Sequence, residues 1–224
     1  MALPEYEKIA GLNRSLGQQA PANLPLIEES VATGEVAALY NHFRSHFGRP
    51  DVPGILKCFA THPPLLQHMM DLSEGLIFAD GHLTRKHKEM IATLVSHQNA
   101  CPYCFDSHAY FLRMHGGSPQ ALAAIQANDL HSPELTLAEQ ALLAFTAKVN
   151  RESHKIGPVD VEQLQQSGWS EAQIAEAIHV ATLFATFNRV ANAFGLGSQG
   201  LLTLFANEHA DEPARQIAEE RRTP

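Results

Sequence analysis

The chain is short of most features that would narrow its function. Its 224 residues hold no run of 18 apolar residues, so no bilayer-spanning helix and no membrane role are expected. Met1 to Gly17 carries Glu5, Glu7 and Lys8 and no apolar stretch, so it does not read as a secretory signal. Lys and Arg number 16 against 24 Asp and Glu, a formal charge of −8, so no nucleic-acid partner is expected. Three cysteines are too few for a disulfide framework. The expected compartment is therefore a reducing cytoplasm, where a close cysteine pair is catalytic or metal-binding more often than structural. No internal repeat, low-complexity tract or period-two apolar pattern is found, so strands are not expected.

What is present is helical. Hydrophobic residues make up 45% of the chain, enough for one sizeable core or two small ones. Residues 1–27, with Pro4, Pro21 and Pro25, read as an extended N-terminal arm. Val31, Leu39, Phe43 and Phe47 give near-helical spacing over 29–47, and Gly48 to Gly54 breaks it. The pattern resumes at Ile55–Phe59 and Pro64–Phe78, then from Leu83 to residue 99. A helix over 102–115 ends at Gly116-Gly117, and Ser118-Pro119 opens another. Thr136 with Glu139, and Ser170 with Gln173, form capping boxes before helices to about Asn150 and over 171–194. A short helix spans Asp160–Gln166, Gly195 closes the long one, and Leu201–Phe205 adds a turn or two. Residues 28–206 thus form one all-α domain, and 207–224 a charged tail.

The chemistry concentrates at Cys101-Pro102-Tyr103-Cys104, with Glu89 before it and His108 after. On a helix Cys101, Cys104 and His108 fall within roughly a 60° arc. Pro102 suits a first helical turn, which puts both thiols at a helix N-terminus whose N–H groups and macrodipole favour a thiolate. With His108 one turn on, the lower thiol pKa is expected at Cys104, and Cys101 is expected to be the more exposed. If helices 83–99 and 102–115 fold back on each other, Glu89 lies about 18 Å up one and His108 about 10 Å up the other. Side chains and one water would then link them, giving a chain from Glu89 through His108 to Cys104. Other readings stand beside this one. Cys101, Cys104 and His108 supply three of the four ligands of a structural zinc site. Glu89 alone reads as a solvated helix charge, Cys58 as buried filler, and His115 as a cation at a helix C-terminus. Tyr103 falls on the opposite face, where it packs or meets a partner.

The stretch from Glu89 through Cys104, with His108 after it, resembles the AhpD-like alkylhydroperoxidases of the carboxymuconolactone decarboxylase superfamily. Their signature places a Glu twelve residues before a CxxC and a His four after, and all four positions match. Phe187 to Gly195 is similar to the helix that follows in such proteins, and the resemblance spans residues 30 to 205. Length and layout look like the subgroup of peroxidase-related enzymes. The resemblance implies an AhpD-like helical fold with the CxxC at a helix N-terminus in an antiparallel helix pair. It implies a homo-oligomeric, cofactor-free peroxidase that reduces a hydroperoxide substrate. Cys104 would be the peroxidatic thiol, Cys101 the resolving thiol, and Glu89 and His108 the proton relay. A dithiol reductant would recycle it, a dihydrolipoyl protein in the family's best-described member. That member has a histidine between the cysteines where this chain has Tyr103, which bears on rate and reductant. Superfamily decarboxylases lack the CxxC, which argues against lactone decarboxylation.

Two rival functions are carried forward: a redox-sensing or partner-binding helical oligomer without turnover, and a zinc-binding protein. The arm at 1–27 has little apolar surface of its own and is expected to cross a neighbouring subunit. Arg189, beside Asn188 on the long helix, is expected to need a carboxylate partner if buried.

Overall fold

A computed structural model describes residues 22–208 of the chain. Its helices are α1 Gly34–Phe47, α2 Gly54–Lys57, α3 Pro63–Ser73, α4 Arg85–Gln98, α5 Pro102–Met114, α6 Pro119–Gln126, α7 Leu137–Glu152, α8 Pro158–Gln166, α9 Glu171–Phe194 and α10 Leu201–Glu208. A π-helical turn, Glu74–Phe78, follows α3, and a 3₁₀ turn, Ser153–Lys155, follows α7. There are no strands among the described residues, and the all-α expectation holds. Both capping boxes form, Thr136 with Glu139 and Ser170 with Gln173. Gly195 caps α9 at φ 77°, the left-handed region that glycine enters without strain.

The centre of the fold is α4. Every residue from Lys88 to Ser96 is buried, so this helix has no solvent face along its middle. It packs most extensively on α5 and also against α7 and α9. Three polar residues of this helix, Glu89, Thr93 and Ser96, are therefore inside the protein. Residues 64–78 depart from the expected single helix. The chain leaves α-geometry at Glu74, and Ala79 N–H reaches Glu74 O in the wide π register.

A buried ion pair holds that turn against α4. Lys88, 1% exposed, donates its ammonium to Leu76 O, Ala79 O and Glu176 Oε1, so all three protons are used. Glu176, on α9, accepts His82 N–H and Leu83 N–H on its other oxygen. Gly81 allows this approach, because a Cβ there would lie 2.1 Å from Glu176 Oε1.

The first 21 residues of the expected arm lie outside the described residues, as does the tail beyond residue 208. The described end of the arm docks on its own chain. Asn23 N–H donates to Phe194 O at 2.7 Å, Tyr40 hydroxyl donates to Ile27 O, and Glu28 pairs with Lys57. Arg189 is exposed and donates to Ala185 O of its own helix, so it needs no carboxylate.

Replacing Lys88 with Met leaves a charged Glu176 unpaired and two carbonyls without donors. Breaking a buried pair in this way costs about 3–5 kcal/mol. Urea unfolding of Lys88→Met is expected to show at least the lower figure. A loss below about 1 kcal/mol would mean the pair is not structural.

Candidate active site

Helix α4 ends at a tight turn that begins α5. Ala100 N–H bonds to His97 O and Cys101 N–H to Ser96 O, with Ala100 left-handed at φ 49°. This is a Schellman motif with alanine where glycine is usual, at a backbone penalty of roughly 1–2 kcal/mol. Cys101 closes the motif and is also the N-cap of α5. Its Sγ accepts the Cys104 N–H at 3.4 Å. Pro102 occupies the first helical position, as its missing N–H permits.

This placement reverses two expectations. Cys101 is 1% and Cys104 3% exposed, so neither thiol is on the surface. The free helix N–H groups converge on the N-cap sulfur, which is Cys101. The neighbouring Cys104 thiol, the N–H groups of Cys104 and Tyr103 and the Asn188 side chain favour its anion enough to outweigh burial, and the Cys101 pKa is lowered. The Cys104 thiol is correspondingly raised, first by its bond to Cys101 and then by burial. Cys104, unlike Cys101, lines the adjoining cavity.

Glu89 and His108 meet directly, without the bridging water expected between them. His108 Nδ1 lies 2.7 Å from Glu89 Oε2, on facing helices. Glu89 is fully buried, and burial opposes its charge. His108 and Arg85 nevertheless hold the carboxyl below its ordinary value. An ionised Glu89 fixes the proton on His108 Nδ1 and leaves Nε2 as the basic nitrogen. Arg85 was not singled out in the sequence. Its Nε donates to Glu89 Oε1 at 2.6 Å, and its guanidinium lies 4.8 Å from the Phe78 ring centre and 5.6 Å from that of Phe111. The i, i+4 spacing from Arg85 to Glu89 was the available signal, but it is shared by many solvated helix pairs.

Cys104 and His108 open on a cavity of about 110 Å³ walled by Phe43, Phe47, Phe78, Phe111, Phe184 and Phe187. His108 meets Phe184 edge-on at 4.3 Å. Tyr103 packs, one of the two outcomes expected for it, but it shares the cavity with Cys104. Its hydroxyl accepts Ile55 N–H at 3.3 Å. Cys58 is buried as expected, but it packs in the same cluster as Cys101 and Cys104. Its thiol donates to Gly54 O, and burial pushes its pKa up to about 12. Among the described residues no three of His, Cys, Asp and Glu are grouped to hold a metal ion, and no helix is long and apolar enough to cross a membrane.

The profile of the carboxymuconolactone decarboxylase family matches residues 63–147, which include Glu89, both cysteines and His108. A peroxidase-related protein from Ralstonia eutropha JMP134, described as an alkylhydroperoxidase AhpD core, superposes with a TM-score of 0.72 at 23% identity, covering 83% of this chain and 96% of that one. A peroxidase-related protein from Silicibacter sp. TM1040 gives 0.67 at 28% identity, covering 80% and 93%. The debrominase Bmp8 gives 0.65 at 16% identity, covering 85% and 98%.

The depressed Glu89 pKa has a defined sign in stability. The folded value lies below the ordinary 4.5, so ionised Glu89 stabilises the fold above pH 4.5 and that stability fades as pH falls through the folded value. Denaturant midpoints of the wild type and Glu89→Gln are expected to differ near neutrality and to converge in acid. Parallel curves down to the acid transition would show that Glu89 is not linked to folding.

Proposed function

We propose that this chain, which belongs to the carboxymuconolactone decarboxylase superfamily and to its AhpD-like, peroxidase-related branch, reduces organic hydroperoxides through a dithiol–disulfide cycle at Cys104 and Cys101. One observation carries the reading: the thiol of Cys104 and the Glu89-oriented His108 share a single apolar cavity, while Cys101 sits behind them at the helix cap.

The cycle uses each environment once. A hydroperoxide enters the cavity with its organic group against the phenylalanines. His108 takes the Cys104 proton, and the ion pair with Glu89 stabilises the imidazolium that forms. The Cys104 thiolate attacks the outer peroxide oxygen. The O–O bond breaks, and His108 returns its proton to the departing alkoxide, which leaves as an alcohol. Cys104 is now a sulfenic acid. The Cys101 thiolate attacks that sulfur, the S–O bond breaks, and water leaves after protonation. A dithiol reductant restores both thiols by exchange and is itself oxidised to a disulfide. Both thiols are buried, so the reductant must reach the disulfide through the cavity mouth or after a local opening. A dihydrolipoyl group, on a long flexible arm, suits that route. A homo-oligomeric assembly and a cytoplasmic setting belong to the same proposal.

The debrominase relative shares the fold, and a cysteine-to-alanine variant of it was crystallised with a tribromopyrrole. A brominated pyrrole therefore belongs in the substrate panel, as a competing use of the same thiols.

The deciding measurement is turnover with a dithiol supplied. Many equivalents of an organic hydroperoxide consumed per chain are expected. A single equivalent followed by arrest would favour the redox sensor, and debromination without peroxide reduction would move the assignment to the halogenated substrate. Cys104→Ser is expected to abolish turnover. Glu89→Gln is expected to lower it by ~10²-fold or more, the scale of a lost acid–base contribution. An unchanged rate in Glu89→Gln would remove the relay from the cycle.

A further inference from the structure

In the cycle above, the departing oxygen of the peroxide carries negative charge until His108 returns its proton. We propose that Gln199 is a catalytic residue that donates a side-chain amide hydrogen to that oxygen and stabilises the charge forming there. This deepens, and rests on, the dithiol cycle.

Gln199 lies in the loop 195–200 between α9 and α10, and it lines the cavity together with Cys104, Ser107 and His108. Those three residues stand at i, i+3 and i+4 on α5, so their side chains share one face of the helix. Two consecutive residues of α5 fasten Gln199 at both ends. Asp106 holds the main chain. Its buried carboxylate accepts Gln199 N–H at 2.9 Å and Leu201 N–H at 3.0 Å on Oδ2, and Leu202 N–H at 3.0 Å on Oδ1. Ser107 holds the side chain, because Gln199 Nε2 donates to Ser107 Oγ at 2.8 Å.

Ser107 also fixes which way the amide points. Its single hydroxyl hydrogen goes to Tyr103 O at 3.0 Å, so toward Gln199 its oxygen can only accept, and the group facing it is the NH₂. The amide nitrogen is thereby pinned to the residue next to His108 and one helical turn from Cys104. Only one of its two hydrogens is used. The second has no partner among the described residues and is the donor available to a molecule in the cavity.

A fixed amide suits the task. The cavity is walled by phenylalanines, so little else there stabilises a forming anion, and a donor already in place needs no reorganisation. As the Cys104 thiolate attacks the outer oxygen, an S–O bond forms, the O–O bond breaks and its electron pair leaves on the inner oxygen. That oxygen takes the amide hydrogen bond as its charge develops, then the proton from His108, and departs as an alcohol. Gln199 keeps both of its hydrogens throughout.

The test compares wild type, Gln199→Met and Gln199→Ala as reduced full chains, with the fold checked by circular dichroism. Methionine keeps the length of the side chain and removes the donor. Neither change touches the main-chain bonds to Asp106. Two rates are followed at Cys104 by mass mapping: oxidation in a single turnover by tert-butyl hydroperoxide or by hydrogen peroxide, and alkylation by iodoacetamide. Losing one donor to a developing oxyanion costs ~10²-fold or more, and His108 serves the same oxygen here, so oxidation should fall by at least ~10-fold. The fall should be equal for the two peroxides, which share the O–O group. Alkylation should match wild type, because iodide leaves without forming an oxyanion. Equal losses of oxidation and alkylation overturn the proposal, since Gln199 would then act on the thiol or on access to it. A loss confined to the organic hydroperoxide also overturns it, since Gln199 would then be only a wall. If neither Gln199 variant folds, Ser107→Ala, which unpins the amide, should slow oxidation and spare alkylation, and unchanged oxidation overturns the proposal. Wild-type oxidation in folded Gln199 variants refutes the role of Gln199 alone, whereas a wild type that neither peroxide oxidises refutes the cycle and this role with it.

Discussion

A carboxylate inside the central helix is the constraint around which this protein is arranged. Glu89 has no exposed surface, and an isolated charge there would cost several kcal/mol. Arg85 and His108 occupy its two oxygens at 2.6 and 2.7 Å, one from the same helix and one from α5. That requirement sets the register of α4 against α5. It also draws in Phe78 and Phe111, which lie against the Arg85 guanidinium and wall the cavity. The adjacent residue, Lys88, is equally buried and turns to Glu176 and the π-helical turn. Two consecutive charges of opposite sign thus fasten α4 to different partners. Lys88 reaches the π-helical turn, and Glu89 reaches the imidazole of His108.

The two thiols are chemically similar in sequence and unlike in space. Cys101 is at once the closing residue of one helix and the cap of the next, so the unpaired N–H groups of α5 point to its sulfur. Cys104 is one turn further on, past the reach of those donors but on the cavity beside His108. In the proposed cycle such a pair would divide the work: the sulfur with the lowered pKa would resolve, and the one on the cavity would meet the substrate. Cys58, although in the same apolar cluster, has burial without the donors, and its thiol is correspondingly inert.

Much of the architecture was legible along the chain because it rests on local rules. The capping boxes at Thr136 and Ser170, the glycine stops at Gly116 and Gly195, and Pro102 at a first turn are decided within four residues of sequence. They set helix boundaries that the structure reproduces to within a few residues. The break at Glu74 was not legible. A π-helical turn has no composition of its own, and here it is held by Lys88, twelve residues beyond Leu76.

The sequence by itself determined an all-helical chain and the identity and spacing of Glu89, Cys101, Cys104 and His108, because periodicity, caps and motif spacing are one-dimensional. Only the tertiary structure decided how those groups are charged. Whether Glu89 is solvated or buried depends on which helices cover α4. Which cysteine receives the helix N–H groups depends on the turn at Ala100. The parts played by Arg85, Asn188 and Tyr103 depend on contacts between residues up to 92 apart, such as Asn188 with Ser96. Protonation states follow from burial and from donors in three dimensions, and spacing along the chain carries neither.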